Sequence, residues 1–83
     1  MKLLYFAWVR QKLGRSEEDL SLPPGVSTVE QLANYLRDRG DGYASVFSEP
    51  QRLRPAVNQE HAKWDASVRD EDEVAFFPPV TGG

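Results

Sequence analysis

The chain has 83 residues, a formal net charge of −3 from 13 acidic against 10 basic residues, and no cysteine. A chain this size buries roughly 60–65% of its unfolded surface, which supports one modest core and excludes a second domain. The acidic balance, with a pI near 5.0, argues against a nucleic-acid binder, which carries a basic stripe; the missing cysteines remove disulfides, thiolate nucleophiles and sulfur-based metal sites together.

Residues 3–9 form a nearly continuous apolar run, which suits a central first strand. The run is far too short to span a bilayer and no small-residue cleavage site follows it, so the expected location is cytoplasmic, with no membrane partner. Residues 10–13 have room for a short helical turn, and Gly14-Arg15-Ser16 signals a reversal. Leu20 and Leu22 then alternate with Asp19 and Ser21, predicting a half-exposed second strand and a first hairpin. Pro23-Pro24-Gly25 ends it.

Ser27-Thr28-Val29-Glu30 has the spacing of a capping box, with Ser27 as N-cap and Glu30 three residues on. Val29, Leu32, Ala33 and Leu36 follow at i, i+3, i+4 and i+7, one apolar stripe for a sheet to cover, while Glu30, Asn34, Arg37 and Asp38 face water. Gly40 supplies the stop. Within residues 41–50, Tyr43, Val46 and Phe47 predict a helical turn on the core. Residues 54–59 read as a short strand ending in a polar turn, residues 62–64 as its return, and Glu73–Phe77 as the last strand. Arg37, Arg39, Arg52 and Arg54 stand among acids and are expected to be solvated. Pattern alone therefore gives α+β, four or five strands and one main helix.

No catalytic set is visible. His61, the sole histidine, has no Cys or Ser in a recognisable arrangement and reads as a surface or turn residue. The acidic run 70–73 lacks the glycine and ligand spacing of a calcium loop; it predicts a solvated turn, with docking to a basic surface as a second role. No metal site is expected.

The most informative stretch is the end, Phe76-Phe77-Pro78-Pro79-Val80-Thr81-Gly82-Gly83. Proline cannot donate a backbone hydrogen bond and restricts its predecessor to extended conformations, so the chain must leave any sheet near Phe77 as a stiff segment. Residues 78–83 reach roughly 20 Å when extended, at about 3.3–3.6 Å per residue, enough to thread a narrow channel. Gly82 and Gly83 lack Cβ and pass constrictions that exclude other residues. The division expected is a domain over residues 1–77 and an extended Gly-Gly tail over 78–83. Strand alternation that turns Val74 and Phe76 inward turns Ala75 and Phe77 outward, which makes Phe77, Pro78, Pro79 and Val80 the expected apolar contact with a partner.

This tail, extended upstream by Asp72-Glu73-Val74-Ala75, closely resembles the C-terminus of molybdopterin synthase small subunits, a family of ubiquitin-like sulfur carriers; Ala56-Val57-Asn58-Gln59 is similar to that family's mid-chain strand and turn. The resemblance implies a ubiquitin-like β-grasp fold, a mixed four- to five-stranded sheet with one main helix, in which the first and last strands are parallel neighbours. It implies molybdenum cofactor biosynthesis as the function. Gly83 is then the working residue, a carrier and not a general acid or base. A separate E1-like enzyme adenylates it with ATP, a sulfur donor replaces AMP to leave a thiocarboxylate, and Phe77, Pro78, Pro79, Val80, Thr81 and Gly82 enter the large synthase subunit. There sulfur passes to a cyclic pyranopterin precursor. The implied assembly is a heterotetramer of two small and two large subunits, with no tightly bound cofactor on the small one and the active-site residues on the large one. A carrier for thiazole synthesis, a ubiquitin-like protein modifier and a non-covalent docking module remain alternatives. One departure concerns the turn before the last strand, where the family usually has glycine and this chain has Glu71; a positive φ there would cost about 1–2 kcal/mol.

Overall fold

A computed structural model describes residues 1–79; Val80, Thr81, Gly82 and Gly83 lie outside the described residues. The elements in order are β1 (Lys2–Tyr5), α1 (Ala7–Leu13), β2 (Glu17–Asp19), α2 (Val29–Arg37), α3 (Asp41–Phe47), a 3₁₀ turn (Pro50–Arg52), β3 (Arg54–Val57), β4 (Glu60–His61) and β5 (Glu73–Phe77). The five strands form one sheet in the order β2-β1-β5-β3-β4. β1 and β5 run parallel with Leu3 opposite Val74 and Tyr5 opposite Phe76, and the other neighbours are antiparallel. This mixed sheet meets the α+β, β-grasp expectation.

The core lies between the inner sheet face and the helices. Leu3, Tyr5, Val74 and Phe76 of the sheet are buried together with Val29, Leu32, Ala33 and Leu36 of α2, the whole predicted stripe. Val9 of α1, Val46 and Phe47 of α3, Leu53 and Val68 complete it. Each fully buried side chain of this size contributes roughly 1.5–3 kcal/mol. Phe76 is the centrepiece: the Phe47 ring meets it edge-on at 4.9 Å, and the Trp64 ring stacks at 6.3 Å.

Several local expectations are corrected. The first strand stops at Tyr5, because Ala7 at φ 54 turns the chain into α1; the apolar run continues as a helix that buries Val9. The second strand is Glu17–Asp19, and Leu20 and Leu22 follow it, packing on the core from extended chain. The capping box sits one residue later than predicted. Thr28 is the N-cap, its hydroxyl accepting from the Gln31 N–H at 3.2 Å, and the Gln31 side chain accepts from the Ser27 N–H at 2.7 Å. The return strand is Glu60–His61, earlier than residues 62–64, because Asn58 and Gln59 reverse the chain in two residues, both at positive φ. Glu71 keeps a negative φ. Its turn is closed by the Asp72 N–H donating to the Arg69 carbonyl at 3.0 Å and the Arg69 N–H donating to the Asp72 carboxylate at 2.8 Å, so no glycine is required. Gly40, at φ 84, separates α2 from α3 and caps the latter.

Candidate functional site

The helices occupy one face of the sheet, and the other carries the alternate residues of β5, the strand that leads into Pro78 and Pro79. In β5, Val74 and Phe76 are buried while Ala75 and Phe77 are half-exposed on the opposite side, as strand alternation requires. Register carries that face across the sheet: Leu4, Ala75, Ala56 and His61 form one cross-strand row, and Arg54 lies opposite Phe77 in the next. Ala56, in the first of these rows, is 7% exposed and is absent from the core cluster. The Phe77 ring stands edge-on to His61 with centroids 5.3 Å apart.

Phe6 completes the face. Its N–H donates to the Phe76 carbonyl at 3.2 Å, extending the parallel ladder one residue past Tyr5. Alternation from buried Tyr5 then places Phe6 on the outer side, where it is 47% exposed. Two small alanines in the central strands, flanked by Leu4, Phe6, Phe77 and His61, make a shallow apolar surface beside the strand that delivers the tail. A surface of this composition is suited to burial against a partner.

Of the residues singled out from sequence, Phe77, Pro78 and Pro79 sit here, all half-buried. Phe77 is the last paired residue of β5, so the prolines begin where the ladder ends. Val80, Thr81, Gly82 and Gly83 fall outside the described residues. Phe6 and His61 were not assigned to a site from sequence. Counting alternation outward from Tyr5 would have found Phe6, whereas His61 needed the β3–β4 register.

Several charged groups away from this face are fastened into the fold. Glu18 of β2 is the hub: one carboxylate oxygen accepts from the Tyr5 hydroxyl at 2.9 Å and the Tyr43 hydroxyl at 2.8 Å, and the other pairs with Arg39 and with Arg15. Burial pushes the Glu18 carboxyl up, but the hydrogen bonds from Arg39, Tyr43 and Tyr5 outweigh it and the net direction is down. Burial and the Glu18 carboxylate push the Tyr5 hydroxyl up, so it stays a donor. Arg39, expected in solvent, is therefore part of a structural network. At the end of β5 opposite the tail, Asp70 accepts from the Leu22 N–H at 2.7 Å and Asp72 from the Asn58 amide at 3.0 Å, contacts that lower both carboxyls. Two of the four acids in the 70–73 run thus stitch loops together. Among the described residues no group of His, Cys, Asp or Glu is arranged to hold a metal ion, and no helix is long and apolar enough to cross a membrane. A groove of about 370 Å³ between α2, the 3₁₀ turn and Trp64 lies on the helical layer.

The sequence pattern of the ThiS family matches residues 3–83, which takes in the outer face, its strands and the tail. The chain belongs to the ThiS family. Among relatives of this ThiS-family chain, the molybdopterin synthase sulfur carrier subunit of Escherichia coli (strain K12) is 40% identical, the match covering 100% of this chain and 99% of that protein. A solved structure from Pyrococcus furiosus, described as subunit 1 of a molybdopterin converting factor, superposes with a TM-score of 0.75 at 33% identity, covering 95% of each chain. SAMP1 from Haloferax volcanii shares the fold at a TM-score of 0.76 and 23% identity, covering 100% of this chain and 98% of its own.

Proposed function

We propose that this chain is the sulfur carrier subunit of a molybdopterin synthase, with the Gly83 carboxylate as the group that carries sulfur. The observation that carries the proposal is the exit of β5 at Phe77 into Pro78-Pro79 beside an uncovered apolar face; the names borne by full-length relatives support it.

A terminal carboxylate is ionised at neutral pH and is a poor electrophile. Activation follows the order that chemistry requires. The carboxylate attacks the α-phosphorus of ATP on an E1-like enzyme, pyrophosphate leaves, and the acyl adenylate gains a good leaving group. Sulfur delivered at the sulfide level attacks the acyl carbon as HS⁻, the acyl–oxygen bond breaks, AMP departs with the electron pair, and loss of the proton leaves a thiocarboxylate. The tail then enters the large synthase subunit, where the sulfur attacks the cyclic pyranopterin precursor and water cleaves the resulting thioester, leaving sulfur on the pterin and returning the Gly83 carboxylate. In this reading the chain's share of the reaction is delivery, and the acid, base and substrate-binding groups belong to the activating enzyme and the large subunit. Docking falls to Phe6, Phe77 and the alanine-floored face between them, together with Pro78 and Pro79. ATP is consumed by the activating enzyme and no cofactor is held here.

The test is the intact mass of the chain isolated from its own cells during cofactor synthesis, beside a form lacking Gly83. The expected result is a gain equal to replacement of one oxygen by sulfur, confined to the full-length form. A lysine-linked conjugate in its place would make the chain a protein modifier, and an unmodified chain would make it a docking module.

A further inference from the structure

Ala7 is exposed and stands at φ 54, in the left-handed region. A β-carbon there crowds the following carbonyl, and glycine would occupy the same backbone without that crowding. The methyl group is not part of the core cluster, so no packing offsets the strain. Backbone outliers of this kind persist where the surroundings hold them, and they concentrate at functional surfaces.

The surroundings here are specific. The Phe6 N–H donates to the Phe76 carbonyl at 3.2 Å, and the Phe6 carbonyl accepts from the Val9 N–H at 3.1 Å. Phe6 itself is extended, at φ −123 and ψ 154. Ala7 is the pivot that follows: within one residue it converts a strand into a helix, sends Val9 into the core and leaves Phe6 on the outer face beside the tail strand. A left-handed residue is the hinge on which the most exposed aromatic of the docking surface is aimed.

We propose that Ala7 is a positioning residue of the docking face, whose restricted backbone fixes the direction of Phe6 for an apolar surface on the large subunit. The inference rests on the docking role given to the outer face above. Glycine at position 7 relieves the strain but opens further backbone conformations to the hinge, and binding must then re-order Phe6 at an entropic cost. Stability and affinity should move in opposite directions, which a purely structural role does not produce.

The test compares full-length wild type, Ala7→Gly and Phe6→Asp by thermal unfolding and by calorimetric titration with the large subunit from the same organism. Ala7→Gly is expected to raise Tm by roughly 4–8 °C while weakening binding about three- to tenfold. Phe6→Asp is expected to weaken binding at least as much with little change in Tm. A higher Tm for Ala7→Gly with unchanged affinity, while Phe6→Asp still weakens the complex, overturns the positioning role and leaves the docking face standing. A lower Tm for Ala7→Gly also overturns it, since the hinge would then not be strained. If neither variant changes affinity, the docking role of the face fails, and the positioning role fails with it.

Discussion

Phe76 and Phe77, joined by one peptide bond, serve opposite faces of the sheet: Phe76 is fully buried between Phe47 and Trp64, and Phe77 stands half-exposed against His61. Substitution should separate the two roles. Phe76→Ala is expected to cost about 3–5 kcal/mol, the range for truncating a buried aromatic ring, seen as a large drop in the urea midpoint. Phe77→Asp is expected to change that midpoint little and to weaken binding to the large subunit by tenfold or more, about 1.4 kcal/mol. Equal losses of folding stability in the two variants would place Phe77 in the core instead.

The Glu18 hub predicts acid sensitivity. A carboxylate whose folded value lies below its unfolded one contributes stability above the ordinary carboxylate range and loses it as pH falls through the folded value. Glu18, Asp70 and Asp72 are all shifted down, so stability should be flat near neutrality and decline below about pH 4.3. Glu18→Gln should cost about 1–3 kcal/mol at neutral pH and flatten part of the acid limb in a series of Tm measurements against pH. A variant with the full wild-type slope would remove Glu18 from the cause.

The hairpin between β3 and β4 carries Asn58 at φ 51 and Gln59 at φ 69, the positive pair of a type I′ turn. Asn58 suits its position and is bonded twice, its amide to Asp72 and its carbonyl oxygen to the Glu73 N–H. Gln59 has no such compensation among the described contacts. Gln59→Gly is expected to stabilise the chain by about 0.5–1 kcal/mol, read as a higher denaturant midpoint at unchanged slope.

Gly42 predicts the reverse of its helix propensity. It lies inside α3, where alanine is ordinarily favoured by about 1 kcal/mol. A β-carbon at this position would meet the Lys12 carbonyl oxygen of α1 at 2.9 Å, and backbone cannot swing aside as a side chain can. Gly42→Ala should therefore destabilise by about 1–2 kcal/mol net. A more stable variant would show that α1 and α3 can separate at no cost.

How much of this was legible depended on whether a periodicity had a competitor. The α2 stripe and the alternation in β5 were read correctly because Val29, Leu32, Ala33 and Leu36 fit no strand, and Pro78 fixes where β5 must end. Residues 3–9 had no polar interruption, so strand and helix fitted equally well and only the backbone at Ala7 decides between them. The capping box slipped by one residue because Ser27 and Thr28 are both good N-caps and Glu30 and Gln31 are both good closing partners. Phe77 was legible as an outward residue from alternation within a single strand. His61 joins it only through pairings between strands, and no local pattern encodes those.

The tail strand is the middle strand of the sheet, hydrogen-bonded to β1 on one side and β3 on the other. A pull on the residues beyond Phe77 acts along β5, so both ladders are loaded in shear and must yield together, and Val74 and Phe76 would have to be dragged from the core as well. A strand at the sheet's edge would peel one bond at a time. A load applied at Pro78 and beyond would thus be spread over the whole domain, and the chain would resist being unravelled from that end.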